Sequence, residues 1–231
     1  MRIGIIETGL PPEECQAEFG TYPVMIENWL KPVLAQADFE TISIVSGEKL
    51  PENPAQFDAY VISGSRHGVY DPIEWIKSLE DFLICLRDKK IPVCGICFGH
   101  QIMAQAYGGV VEKSTKGWGF GTQTYQLDQE SDPVLVLHQD QVVKAPLQAK
   151  PAGGNDFCPL GVLRYDFPAI SVQFHPEFST GYIADMAKRF RGSRFPEDIA
   201  DVALASLQSQ AAMSAKMAKT VAELFRADST S

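Results

Sequence analysis

The segment Ile91-Pro92-Val93-Cys94-Gly95-Ile96-Cys97-Phe98-Gly99-His100-Gln101 constrains the fold more than any other stretch of this chain. An apolar run entering a cluster of small residues reads as a buried strand, and residues 98–107 then read as a helix. Cys97 stands at the junction, on a sharp strand-to-helix turn between Gly95 and Gly99, residue types that tolerate tight backbone geometry. A sulfur in that place faces a helix N-terminus, where the dipole and free N–H groups favour thiolate over thiol. Cysteine is also among the most buried residue types, and plain packing suits Cys85, in a helical pattern, and Cys94, within the strand. It suits Cys97 less well, because a core cysteine does not require two flanking glycines.

Downstream, Ala169-Ile170-Ser171-Val172-Gln173-Phe174 reads as another strand and runs directly into His175-Pro176-Glu177. Thiol chemistry needs a base to take the proton, and the base needs a third group to fix its tautomer. His175 and Glu177 offer both within one short stretch, with Pro176 fixing φ between them. The expectation is a Cys97–His175–Glu177 triad.

These residues resemble the class I glutamine amidotransferase domain. The resemblance extends to Val61-Ile62-Ser63-Gly64-Ser65, a strand ending in a tight turn, and to Leu137-His138-Gln139-Asp140-Gln141-Val142. It covers roughly residues 1–190. Within the family the pattern is most similar to stand-alone γ-glutamyl peptidases and GMP-synthase-like amidotransferases. The resemblance implies attack by Cys97 on a γ-glutamyl carbonyl, a glutamyl-thioester, and proton transfer by His175 oriented by Glu177. It implies an oxyanion hole from the backbone N–H of Phe98 and one in the Gly64–Ser65 turn. Gln101 would hold the substrate's glutamyl end, and Gln139 and Asp140 would line the same pocket. No cofactor or metal is implied.

The other histidines read more plainly: His67 as an exposed loop residue beside the Gly64 turn, His100 as a helix-packing residue, and His138 as a hydrogen-bonded core histidine. Cys94-Gly95-Ile96-Cys97 is formally a Cys-x-x-Cys. Cys94 lies in the strand, however, and its offset of three predicts the opposite face, which speaks against a disulfide. Cys94, Cys97 and His100 supply too few ligands for a structural zinc site. Gly117-Trp118-Gly119-Phe120-Gly121 lacks dinucleotide-binding spacing, and no Walker phosphate loop occurs.

A formal charge of −9 argues against nucleic-acid binding, and no apolar run reaches membrane-spanning length. Five irregularly spaced cysteines do not form a disulfide scaffold, and the first residues read as a strand rather than a signal peptide. A cytoplasmic enzyme is expected. Residues 2–6, 41–45, 59–63 and 91–96 read as buried strands alternating with helices over 24–37 and 73–89. The fold class that follows is α/β: a doubly wound, mostly parallel sheet flanked by helices, with ligands outside the strand carboxyl ends. Residues 109–174 suggest an antiparallel portion, with 150–159 as a loop that could border the pocket. The division expected is a domain over 1–190 and a helical extension over 191–231 packed on it. Helices are expected over 183–190 and 199–225, and residues 228–231 as a frayed tail. A stripe along Val202 and Leu204, or along Met213, Met217 and Val221, is a candidate homodimer face.

What receives the nitrogen stays open. The leading expectation is a hydrolase of γ-glutamyl amides, glutamine included. The alternatives are a glutaminase subunit passing ammonia to a synthetase partner, and a non-catalytic regulatory protein on the same fold. Lys116-Gly117-Trp118-Gly119-Phe120-Gly121 departs from the acidic segment of ammonia-delivering members, which favours γ-glutamyl substrates other than glutamine.

Overall fold

In the computed structural model, which describes residues 1–127 and 130–227, the strands in chain order are β1 (Arg2–Glu7), β2 (Asp38–Ser43), β3 (Ala59–Ile62), β4 (Val93–Ile96), β5 (Val110–Lys113) and β6 (Gly119–Leu127). They continue with β7 (Glu130–His138), β8 (Asp140–Lys144), β9 (Ala149–Gly154), β10 (Val162–Tyr165) and β11 (Ala169–Val172). The helices are α1 (Glu13–Phe19), α2 (Tyr22–Leu30), α3 (Glu74–Asp88), α4 (Phe98–Ala106), α5 (Thr180–Arg189), α6 (Glu197–Ser206) and α7 (Ala211–Ala227).

Every residue of β3, β4 and β11 is buried, and so is all of β1 after Arg2. Strands buried on both faces sit between two helical layers. One nine-stranded sheet runs β2-β1-β3-β4-β11-β10-β9-β6-β7. Its first five strands are parallel, and β10, β9, β6 and β7 continue the same sheet with antiparallel pairing. The β5–β8 pair forms a separate antiparallel ribbon. Alternate residues feed opposite layers. Ile3, Ile5, Cys94, Ile96 and Val172 pack with Ile26 and Trp29 of α2 and Met213, Met217 and Val221 of α7. Ile6, Ile62 and Val93 pack with Leu79 and Leu83 of α3 and Ile102 of α4. A third cluster lies under α5 and α6, around Phe120, Leu135, Phe178, Tyr182 and Phe195. This is the doubly wound α/β fold, with helices on both faces.

Several local expectations need correction. The strand expected over 41–45 lies at Asp38–Ser43, followed by a 3₁₀ turn over Ile44–Ser46. The helix expected over 24–37 stops at Leu30; Lys31 still has helical dihedrals, but Pro32 has no N–H to continue the ladder. The expected loop over 150–159 begins as strand β9, whose Pro151, Gly153 and Gly154 conceal it. None of residues 150–159 lines the Cys97 cavity. The stripe Met213, Met217, Val221 is no free face, since it is buried against α2; Val202 is exposed and Leu204 is partly buried under the third cluster. The tail expectation at 228–231 falls outside the described residues. Among the described residues no helix is long and apolar enough to cross a membrane.

Candidate active site

Three parallel strands end together, and their exits build one cavity. β4 passes into α4 through Cys97, β3 into the turn Ser63-Gly64-Ser65, and β11 into residues 173–179. The cavity encloses about 540 Å³ and is lined by Cys97, His175, Gly64 and Ser65, with Gln101, Gln139 and Asp140 also in its wall. A sheet of this kind places ligands at this edge.

Cys97 takes φ +53°, ψ −100°, a conformation that is strained for a residue with a Cβ. Two bonds hold it there: its N–H donates to the Val172 carbonyl at 2.8 Å, and its carbonyl accepts the Gln101 N–H at 3.1 Å. The flanking glycines have a different task from the one expected. Neither Gly95 nor Gly99 has positive φ. A Cβ on Gly95 would lie 2.5 Å from the Gly99 carbonyl oxygen, and one on Gly99 would collide with the Ile62 carbonyl oxygen. They let helix and strands touch, while the nucleophile position itself carries the strained dihedral. The Sγ of Cys97 lies 4.0 Å from the Leu137 carbonyl oxygen.

His175 donates from Nδ1 to Glu177 Oε1 at 2.7 Å, with both side chains nearly sealed from solvent. Its ring stacks on Phe178, centroids 3.9 Å apart and planes 3° from parallel. Burial opposes a charge on this ring, yet the Glu177 carboxylate and the Cys97 sulfur outweigh it and push the imidazole up to about 10. Gly64 closes the space between them: a Cβ built there would stand 3.0 Å from His175 Cε1 and 3.8 Å from Cys97 Cβ. Thr8, which the sequence reading missed, fixes this turn, since its hydroxyl donates toward the Ser63 and Gly64 carbonyls at 2.9 and 3.1 Å.

Gln101 is more committed than expected. Its Nε2 donates to the Asp140 carbonyl at 2.8 Å and to Gln173 Oε1 at 3.1 Å, leaving Oε1 as the atom to offer a ligand. The Asp140 carboxylate accepts from the Tyr70 hydroxyl at 2.9 Å. Phe98 buries its ring in the α3–α4 layer and is not among the residues that line the cavity. His138 lines the cavity; burial lowers its pKa to about 3, so it stays neutral, with Nδ1 3.1 Å from the Asp140 carbonyl oxygen. His67 also lines it, only partly exposed, with Nδ1 3.5 Å from Asp71. His100 is fully buried with Nδ1 2.7 Å from Ser171 Oγ. Cys94 and Cys97 are both free thiols.

The rim adds Tyr22, Phe178 and Arg194, which no local motif signalled, and Trp118 of the Lys116–Gly121 segment. Arg66, Lys113 and Arg194 are exposed there, and none forms an ion pair with a described acid. Three unpaired cations around one opening suit an anionic ligand.

A model of the glutamine amidotransferase class-I family matches residues 26–190. Gamma-glutamyl peptidase 2 of Arabidopsis thaliana is 27% identical over 173 residues, covering 69% of this chain and 70% of that protein. The glutamine-hydrolyzing GMP synthase of Dehalococcoides mccartyi is 32% identical over 127 residues, or 51% of this chain and 23% of that protein. Among solved structures, a glutamine amidotransferase of Thermotoga maritima has the same fold at TM-score 0.73 and 18% identity. That match covers 99% of this chain and 97% of the other.

Proposed function

The chain belongs to the class I glutamine amidotransferase family, and on that premise we propose that it cleaves γ-glutamyl amide bonds through Cys97, His175 and Glu177. The observation that carries this reading is the shared cavity, where Cys97, on its positive-φ elbow, meets a buried histidine–carboxylate pair. The Cys97 sulfur attacks the γ-carbonyl carbon, and His175, holding the thiol's proton, delivers it to the leaving nitrogen as the C–N bond breaks. A glutamyl-thioester remains. Water then attacks it, His175 takes the water's proton, and the S–C bond breaks to return that proton to the Cys97–His175 pair. Glu177 holds the imidazole in one tautomer and favours its charged form, which is what the raised pKa expresses. The oxyanion is met by the Phe98 N–H and an N–H of the Gly64–Ser65 turn; each such donor contributes on the order of 100- to 1,000-fold in rate.

The rim cations Arg66, Lys113 and Arg194, in a chain of net charge −9, support a γ-glutamyl peptide or amide bearing a further carboxylate over free glutamine. The similarity to part of a GMP synthase supports a second reading, ammonia delivery to a synthetase partner. Five free cysteines favour a reducing compartment, the cytoplasm. The test is release of amine or ammonia from glutamine and a panel of γ-glutamyl peptides, beside Cys97→Ala. Faster turnover of peptides than of glutamine supports the first reading. Activity on glutamine alone turns it toward the second. Undiminished activity in Cys97→Ala refutes the mechanism.

A further inference from the structure

Gln210 lies in the break between α6 and α7, beyond residue 190 where the family match ends. It is 5% exposed, and its carboxamide is fully occupied. Nε2 donates to the His175 carbonyl at 2.8 Å and to the Phe178 carbonyl at 2.9 Å, while Oε1 accepts the Leu135 N–H at 2.9 Å. The Leu135 carbonyl in turn accepts the His175 N–H at 2.8 Å. The result is a closed ring joining the main chain at His175, the main chain of β7 and one side chain from the C-terminal segment. Ser214 adds a fourth tie, donating from Oγ to the Pro176 carbonyl at 2.6 Å, while its own carbonyl accepts Trp29 Nε1–H at 3.0 Å.

The segment so held needs holding. Residues 173–179 lie outside helix and strand, so their carbonyls have no ladder to satisfy them. His175 and Glu177 both sit on this segment, and the Phe178 ring against which His175 stacks is on it too. An amide is suited to the task because one planar group supplies two donors and an acceptor at fixed angles. We propose that Gln210 is the positioning residue of the His175 loop, so that the C-terminal segment is part of the catalytic apparatus although it lies past the family match. This rests on His175 being the base that serves Cys97. Misplacing a reacting group by about 1 Å costs about 100-fold in rate, so the imidazole's placement is where Gln210 acts.

The test compares full-length Gln210→Glu, Gln210→Ala and Ser214→Ala with Met217→Ala, a buried α7 residue that does not line the cavity. Gln210→Glu keeps the shape and removes the amide donors. Two quantities are read: the pH profile of Cys97 alkylation by iodoacetamide, followed by peptide mass spectrometry, and kcat and KM on the best γ-glutamyl substrate. Both Gln210 variants should shift the alkylation profile and lower kcat about 10- to 100-fold with little change in KM. Ser214→Ala should do the same to a smaller extent, and keeps the test alive should the Gln210 variants fail to fold. Met217→Ala should melt earlier with its alkylation profile unmoved. Gln210 variants that melt earlier but keep the wild-type profile and kcat overturn the proposal, as does Met217→Ala shifting the profile equally. Iodoacetamide needs no substrate pocket. If the wild type turns over no γ-glutamyl compound, the functional reading fails while the alkylation profiles still decide the role of Gln210.

Discussion

Cys97 holds a conformation that a glycine would hold without strain, and this separates its chemistry from its contribution to stability. With φ at +53°, any side chain costs on the order of 1–2 kcal/mol there relative to glycine. Cys97→Gly should therefore be about 1 kcal/mol more stable than Cys97→Ala in urea unfolding, with turnover lost in both. Equal stability, or Ala ahead, would mean the elbow is relaxed. His175 supports a second prediction. Its ordinary pKa of 6.5 becomes about 10 in the fold, so below pH 6.5 the proton is bound in both states and its full stabilisation is present. Between 6.5 and about 10 only the folded state holds that proton, and stability declines as pH rises. Replacing Glu177 with Gln removes the charge that keeps the proton. Its melting temperature should fall less steeply than the wild type's over that range, and parallel curves would refute the coupling. At this scale the geometry was partly legible in the sequence: Cys97 and His175 stand in short motifs and line one cavity, and Glu177, two residues past His175, bonds its ring from outside that wall. Thr8, Phe178 and Gln210 were not legible, because their roles depend on partners distant in sequence or on ring orientation, and neither leaves a local spacing.

The elements were legible where burial is complete on both faces. β1, β3, β4 and β11 fell within two or three residues of expectation because an unbroken apolar run has one comfortable place, inside a parallel sheet. Accuracy declined toward the sheet edge. β2 is partly exposed and carries Asp38, Glu40 and Thr41, so its start left no apolar signal. β9 contains a proline and two glycines, and pairing with β10 overrides their poor strand propensity. The short α1 follows two prolines and has only seven residues, too few to show a helical period. The contact that most constrains the site joins elements: α4 rests on β3 with only glycine between them at Gly99. Gly99→Ala drives a methyl group into the Ile62 carbonyl and has no flexible side chain to displace. A loss of about 1–3 kcal/mol in urea unfolding is expected, with turnover falling as the elbow shifts. A neutral Gly99→Ala would show that the helix can move off the sheet without cost.

For the whole molecule, the issue is whether residues 191–227 are an appendage or part of the core. The sequence suggested an extension laid on a finished domain, because the family resemblance ends near residue 190 and an Ala-rich helical stretch follows. Packing argues for more. Met213, Met217, Val221 and Phe225 of α7 are each at most 1% exposed, in the same cluster as Ile26 and Leu30 of α2 and Val172 of β11. Burying a side chain of this size stabilises by about 1.5–3 kcal/mol, so the four together contribute roughly 6–12 kcal/mol. A domain's entire stability is about 5–15 kcal/mol. Removing α7 also uncovers the α2 face of the sheet, so the cost is not confined to the residues deleted. A chain ended after residue 190 should therefore lack a cooperative thermal transition and bind an apolar dye strongly, with Cys97 alkylation following the pH profile of a free cysteine in an unfolded peptide. A cooperative transition with a wild-type denaturant slope would instead make residues 1–190 a self-sufficient domain. The α7 contacts would then be surface packing added to a core that closes without them.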